Sequence, residues 1–192
     1  MKKTLLTLAV LAGSTLGAVS VQAKDLTGGF VNLGAGRANY HATFDNYDLG
    51  SDHGTAVVLN AGYRTQFIGF EAGYTDLGSV SYRDNTTYAK LSGDGWTAGI
   101  NGHFNPTDAW YVSARGGAFV WKLHAKLQSS DPAYPFDERA SRQSLGWYAG
   151  VGTGYDINKS WSIGANFDYY SISKEGLDIG NRIYTVSAEY RF

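Results

Sequence analysis

An all-β fold, an eight-stranded antiparallel up-and-down transmembrane β-barrel, is what this 192-residue sequence predicts. Three observations predict it. From Gly28 onward hydropathy alternates with period two in eight segments, an even number suited to a closed meander. One face of each segment is apolar throughout, while the other carries Gly, Ser, Thr, Asn and a few charges. Short and long connections alternate along the chain, as they do when all tight turns lie on one side of a membrane.

The first element is a targeting segment. Met1-Lys2-Lys3 is a positive n-region, Leu5 to Leu16 an apolar run, and Val21-Gln22-Ala23 a small-residue cleavage site, so residues 1–23 read as a secretory signal and 24–192 as the barrel domain. The apolar run is short for a membrane-spanning helix of about 20 residues.

Eight alternating segments follow. Val31, Leu33 and Ala35 oppose Asn32, Gly34 and Gly36 in the first. The outward sets of the next three are Val57, Leu59, Ala61 and Tyr63; Ile68, Phe70, Ala72 and Tyr74; and Trp96, Ala98, Ile100 and Phe104. The fifth sets Trp110, Val112, Ala114, Ala118 and Val120 against Tyr111, Ser113, Arg115 and Gly117. The sixth sets Trp147, Ala149, Val151 and Tyr155 against Tyr148, Gly150, Gly152 and Gly154. The seventh sets Trp161, Ile163, Ala165, Phe167 and Tyr169 against Gly164, Asn166 and Asp168. In the eighth, Tyr184, Val186, Ala188, Tyr190 and Phe192 alternate to the terminal residue.

Short turns are expected at 64–66, 105–108 and 157–160, and long polar loops at 39–54, 77–92, 122–144 and 172–181. A soluble sandwich also alternates, but its outer face is polar, whereas here the apolar face is the continuous one. Tyr63, Phe67, Phe104, Trp110, Tyr155, Trp161 and Phe192 gather at the short turns, where amphipathic rings suit a membrane interface. In hydrocarbon only a closed sheet leaves no unpaired backbone edge.

Composition agrees. Charged residues make up 17%, below the roughly 25% of soluble domains. Gly (25) and Tyr (14) are abundant, suiting a narrow lumen and interfacial girdles. A net charge of −1 argues against a nucleic-acid partner, and zero Cys excludes disulfides, thiolate metal sites and cysteine nucleophiles. The mean hydropathy of −0.26 averages polar lumen and loop residues with a lipid-facing stripe.

Several motifs resemble one family. Gly69-Phe70-Glu71-Ala72-Gly73-Tyr74 with Leu77-Gly78 is similar to the third strand of the OmpA-type transmembrane domain. Arg115-Gly116-Gly117 with Val120-Trp121 resembles its fifth strand. Gly154-Tyr155-Asp156, Phe167-Asp168-Tyr169 and Tyr190-Arg191-Phe192 resemble its last three. The small barrels of the OmpX and Ail type share this architecture. The resemblance implies a Gram-negative outer-membrane location among lipids and lipopolysaccharide. The ending Tyr184, Val186, Ala188, Tyr190, Phe192 resembles the signal read by the barrel-assembly machinery. Because the chain stops at the eighth strand, no periplasmic cell-wall domain is expected to follow, and a monomer is expected.

Inward charges must be paired, because an isolated buried charge is very costly. Glu71, Arg115, Asp168 and Glu189 have inward phase, with Arg64, Asp156 and Arg191 nearer the short turns. The expected lumen network centres on Arg115, with Glu71 and Asp168 as acceptors. In the OmpA resemblance Glu71 takes the place of a carboxylate that gates a small conductance, and the matching seventh-strand arginine is Asn166. A polar plug and a weakly conducting pore therefore both stand as readings, the plug favoured because eight-stranded lumens are packed.

Some eight-stranded barrels modify lipid A, which requires a nucleophile beside a base. His41, His53, His103 and His124 sit in no compact motif with Ser, so no catalytic residue is assigned. Asp45, Asp48 and Asp52 between His41 and His53 read as a solvated acidic loop, and no metal or cofactor is expected. Function on such a scaffold is expected in the loops. The 122–144 stretch carries two prolines, with Tyr134, Phe136 and Arg139 as a candidate surface for a host or cell-surface ligand. The cations Lys122, Lys126, Arg139 and Arg142 are candidates for lipopolysaccharide phosphates.

Overall fold

Every described strand pairs on both sides. The computed structural model describes residues 27–44, 47–84, 87–129, 136–174 and 177–192, so the 1–23 segment and Tyr134 lie outside the described residues. The strands are β1 Gly28–Phe44, β2 Tyr47–Arg64, β3 Ile68–Arg83, β4 Thr87–Phe104, β5 Trp110–Ser129, β6 Phe136–Asp156, β7 Trp161–Lys174 and β8 Leu177–Arg191. Each is antiparallel to its sequence neighbours, and β8 returns to β1 from Phe30↔Arg191 to Phe44↔Leu177, closing the barrel.

Polarity is arranged inside out. Phe70, Val186 and Trp96 are 76%, 71% and 67% exposed on the outer wall, whereas Glu71 and Asp168, on the inner, are 6% and 0% exposed. A protein in water would bury the first set, so the outer wall is built for lipid. Outward aromatics pair across strands along this wall: Tyr74 with Trp96, Phe167 with Tyr184, and Trp161 with Tyr190, centroids 5.3, 5.0 and 4.9 Å apart.

The expected long loops are corrected. Most of 39–54, 77–92, 122–144 and 172–181 is strand, continuing each ladder well past the apolar band. Toward the ends of these extensions both sheet faces meet water, as at Lys90, Leu91, Leu127, Glu138 and Arg139, so alternation of polarity is no longer required although the ladder persists. Two irregularities sit in these extensions, between Ala42 and Thr43 and between Asp76 and Gly78. Gly78 has φ +87°, donates its N–H to Asp76 Oδ1 at 2.7 Å, and leaves no room for a Cβ against the Thr55 carbonyl.

The lumen has two layers. Toward the short turns it is polar. Toward the strand extensions it is aromatic and aliphatic, with Ala38, Ala56, Leu77, Phe119, Trp121, Tyr148, Tyr170, Ile172 and Ile183 buried together. This apolar layer is absent from the sequence expectation of a polar lumen, because it draws on inward positions at the upper margin of the alternating segments. Phe119 and Tyr170 meet edge-on at 4.9 Å, and Tyr170 stacks on Tyr148 at 5.6 Å.

Eight strands leave room for such rings only opposite glycine. A Cβ on inward Gly99 would collide with the Gly116 carbonyl and lie 2.7 Å from the Tyr148 hydroxyl, whereas one on outward Gly102 meets nothing closer than 3.5 Å. Gly99→Val should therefore lower the unfolding free energy by about 1–3 kcal/mol, while Gly102→Val leaves it nearly unchanged. Urea titration in detergent, read by the heat-modifiable gel shift, measures both; equal effects would refute the narrow-lumen account.

Candidate functional site

The candidate site is the charged lower half of the lumen together with the extracellular rim. Asp168 on β7 receives a two-pronged contact from Arg115 on β5, Nε to Oδ1 at 2.7 Å and Nη2 to Oδ2 at 2.6 Å. Between them, in the same register row, stands Gly150 of β6. A Cβ there would strike the Asp168 carboxylate, so the glycine lets the fork pass over the intervening strand. Asn60, with its amide oxygen turned inward, accepts from Arg115 Nη1 at 2.5 Å.

Glu71 on β3 is satisfied differently. The Tyr148 hydroxyl donates to Oε1 at 2.7 Å and Asn101 Nδ2 to Oε2 at 3.0 Å. Asn101 Oδ1 accepts from Arg64 Nε at 2.9 Å, and the other two nitrogens of Arg64 reach Glu189 at 3.0 and 3.2 Å. The Arg64 guanidinium also lies 4.3 Å from the Phe30 ring centroid. An unbroken hydrogen-bond chain thus runs from Glu189 on β8 through β2, β4 and β3 to Tyr148 on β6.

A third knot sits at the short turns. Asp156 accepts from Arg191 Nη2 at 2.6 Å, Ser162 Oγ at 2.5 Å and Asn105 Nδ2 at 2.7 Å, with His103 Nε2 at 3.8 Å. Arg191 Nη2 also contacts the Ser162 hydroxyl, and its Nε lies 3.7 Å from Glu189, joining this knot to the chain above.

The four inward residues singled out in the sequence are therefore all buried or nearly so, but they do not form one cluster around Arg115. Asp168 is its acceptor, whereas the hydrogen bonds of Glu71 come from Asn101 and Tyr148, and those of Glu189 from Arg64. Alternation shows which face a residue occupies, not its height, and only the register sets Glu71 opposite Gly99 and diagonal to Asn101. Asn166 donates to Ser187 Oγ at 2.9 Å. The space left among Asn60, Arg64, Glu71, Arg115 and Glu189 is about 30 Å³, room for a water or two and not for a solute.

The C-terminal set behaves as one lipid-facing stripe: Tyr184, Val186, Ala188, Tyr190 and Phe192 are all exposed on the outer wall of β8, and the Phe192 amide donates to the Gly29 carbonyl at 2.9 Å. At the rim, Phe136 opens β6, and Arg139 is exposed with Nη2 3.7 Å from Asp137. Lys122, Lys126 and Arg139 share the outward phase. Arg142 is paired with Leu123, which packs on the core, so it lies on the other face and does not join them.

The family model of the outer membrane protein β-barrel domain matches residues 9–192. The chain belongs to that family. It is 24% identical over its whole length to outer membrane protein A of Serratia marcescens, but spans only 56% of that protein, about half the length of the relative it matches. The 31 kDa outer-membrane immunogenic protein of Brucella melitensis biotype 1 is 23% identical over 85% of this chain and 79% of its own. Among solved structures, Neisserial surface protein A superposes with a TM-score of 0.60 at 21% identity, covering 86% of this chain and 98% of that one. Ail, the attachment invasion locus protein of Yersinia pestis, crystallised with the heparin analogue sucrose octasulfate, gives 0.59 at 18% identity over 86% and 99%. The chain is an outer-membrane β-barrel by family, and its fold is shared with Neisserial surface protein A and Ail.

Removing one partner of the Arg115–Asp168 fork strands a charge in a closed lumen. Arg115→Met should cost about 3–5 kcal/mol, and Arg115→Met combined with Asp168→Leu much less. A double-mutant cycle of urea unfolding in lipid vesicles tests this; additive losses would show that the two groups are not coupled.

Proposed function

We propose that this chain is a sealed barrel that acts at its extracellular end, in surface binding and envelope integrity, and neither passes solutes nor catalyses a reaction. The observation that carries the reading is the filled lumen. The crossing ties Glu71–Tyr148, Arg115–Asp168 and Arg64–Glu189, capped by Phe119, Tyr148 and Tyr170, leave among these described residues a gap of about 30 Å³, too small for a hydrated ion. The long β5 and β6 extensions support the second half, since they carry backbone and side chains far above the lipid band. The heparin analogue held by the similarly folded Ail is consistent with a polyanion as one class of surface ligand.

Export through a signal ending at Ala23, assembly by the barrel-insertion machinery through the β8 stripe, and a monomeric state belong to the same reading.

Purified protein in planar bilayers should give no discrete openings, either as wild type or as Glu71→Ala, because Arg64, Asn101 and Tyr148 still fill the lumen. Steady single-channel events from either protein would establish the pore instead. Deleting 128–139 should leave the heat-modifiable barrel intact while reducing attachment of expressing cells to host or neighbouring cells. Unchanged attachment would place the function elsewhere.

A further inference from the structure

Above the lipid band, three cations stand side by side on adjacent strands. Lys90 of β4 is registered with Lys126 of β5, and Lys126 with Arg139 of β6. Directly opposed residues on one sheet face have Cβ atoms about 4.5–5.5 Å apart, and like charges so placed repel. Among the described residues an acidic group meets this row at one end: Asp137 Oδ2 lies 3.7 Å from Arg139 Nη2, both side chains exposed, while Asp94 is engaged by His124 at 3.4 Å and by the Tyr74 hydroxyl at 2.9 Å. Glu138 is registered with Leu127, on the opposite phase to the row. Lys90 and Lys126 make no ion pair among the described residues.

The row borders a hollow of about 310 Å³ lined by Lys90, Ser92, His124, Lys126, Arg139 and Ser141. Ammonium, guanidinium and hydroxyl groups make this a donor-rich pocket with positive charge, which suits an acceptor-only anion such as a phosphate ester. An arginine fork supplies the planar recognition that such a group accepts.

Direction and height select the source of the anion. The three cations share phase with Trp96, Val120 and Leu145, so they project sideways from the wall and not into the barrel mouth. Each lies six residues beyond its lipid-facing counterpart, about 20 Å along the strand and roughly 15 Å in height at the usual tilt. A phospholipid headgroup region reaches only about 5–8 Å beyond the hydrocarbon. The neighbour at 15 Å beside an outer-membrane barrel is the saccharide of lipopolysaccharide.

We propose that Lys90, Lys126 and Arg139 form a lateral anion site that holds a phosphorylated core sugar of an adjacent lipopolysaccharide molecule. The site rests on the reading that the extracellular end is the working end, and gives that end a ligand in its own membrane. It makes the outer wall of β4–β6 a bridge between barrel and saccharide layer.

The test uses the full refolded barrel in detergent. It is titrated with lipopolysaccharide bearing a phosphorylated core, with the same material after hydrofluoric-acid removal of phosphate, and with a sulfated heparin oligosaccharide. The combined change Lys90→Gln, Lys126→Gln and Arg139→Gln should weaken binding of the phosphorylated form about tenfold or more. Phosphate removal should weaken wild-type binding by a similar factor, and should cost the variant nothing further. Equal wild-type affinity for both forms would overturn the site, and that comparison needs no variant. So would a variant that binds phosphorylated lipopolysaccharide normally but loses only the heparin oligosaccharide, which would assign the row to an external polyanion. If the triple variant fails to show the folded gel band, Lys126→Gln, the central cation, should lose about threefold, and no loss would overturn the proposal. Failure here leaves the sealed-lumen reading intact, whereas bilayer conductance would reject that reading whatever the lipopolysaccharide result.

Discussion

Backbone amides and carbonyls find no water in hydrocarbon, and each one left unpaired there costs several kcal/mol. A sheet meets that constraint only by closing, and the rest of this structure follows from the closure of β8 onto β1. Once closed, the sheet has one wall toward lipid and one toward its own axis. The outer wall must be apolar along its whole membrane height, which is why Phe70, Trp96 and Val186 are left exposed. The inner wall is then the only place within the membrane where polar side chains can go.

Closing with eight strands sets the second constraint, since the interior is then only wide enough for side chains. Large inward residues survive where glycine faces them, as Tyr148 does beside Gly99 and Tyr111 beside Gly154 and Gly164. Charges survive where they meet across the lumen. Buried ion pairs contribute little net stability once desolvation is counted, but a missing partner is strongly destabilising. Here the ties link strands that share no ladder: Arg115 of β5 with Asp168 of β7, Arg64 of β2 with Glu189 of β8, Glu71 of β3 with Tyr148 of β6, and Thr75 of β3 with Tyr170 of β7. The backbone ladders define the circumference and these contacts define the cross-section.

The physical reach of each constraint accounts for what the sequence reveals. Within lipid the alternation is compulsory, so the faces of all eight strands and the three short turns can be read from residues such as Trp161, Ile163, Ala165 and Phe167. Above lipid it lapses, and 122–129 and 136–144 read as loop although their ladder runs unbroken from Trp110↔Tyr155 to Ser129↔Phe136. The same limit separates face from height in the lumen. Arg115 and Asp168 can be placed on the inner wall by phase, and Gly150 between them is visible only once the register is known. Glu71 has the right phase for Arg115 too, but strand stagger sets it against Asn101 and Tyr148, and stagger depends on how the whole sheet closes. The apolar layer of Phe119, Trp121 and Ile183 escapes notice for a related reason: an aromatic at an inward position reads as interruption until its neighbours are known.

Polarity reverses above the band, and that reversal bears on where such a barrel can act. On β4 to β6 the outward positions change from Trp96, Val120 and Leu145 to Lys90, Lys126 and Arg139, while the opposite phase carries Leu91, Leu123 and Leu127. Leu123 still packs against the lumen's apolar layer, whereas Leu91 and Leu127, beside the cation row, are exposed. The outer wall, freed from lipid, is the first surface on the strand where a charge costs little and can meet an anion. In the proposed sealed barrel, function falls to surfaces of this kind. Extending the strands, instead of adding unpaired loop, places those surfaces on a hydrogen-bonded frame. Side chains held at the regular spacing of a sheet can act together on one ligand, as cations on separate flexible loops could do only after paying the entropy of being brought into line.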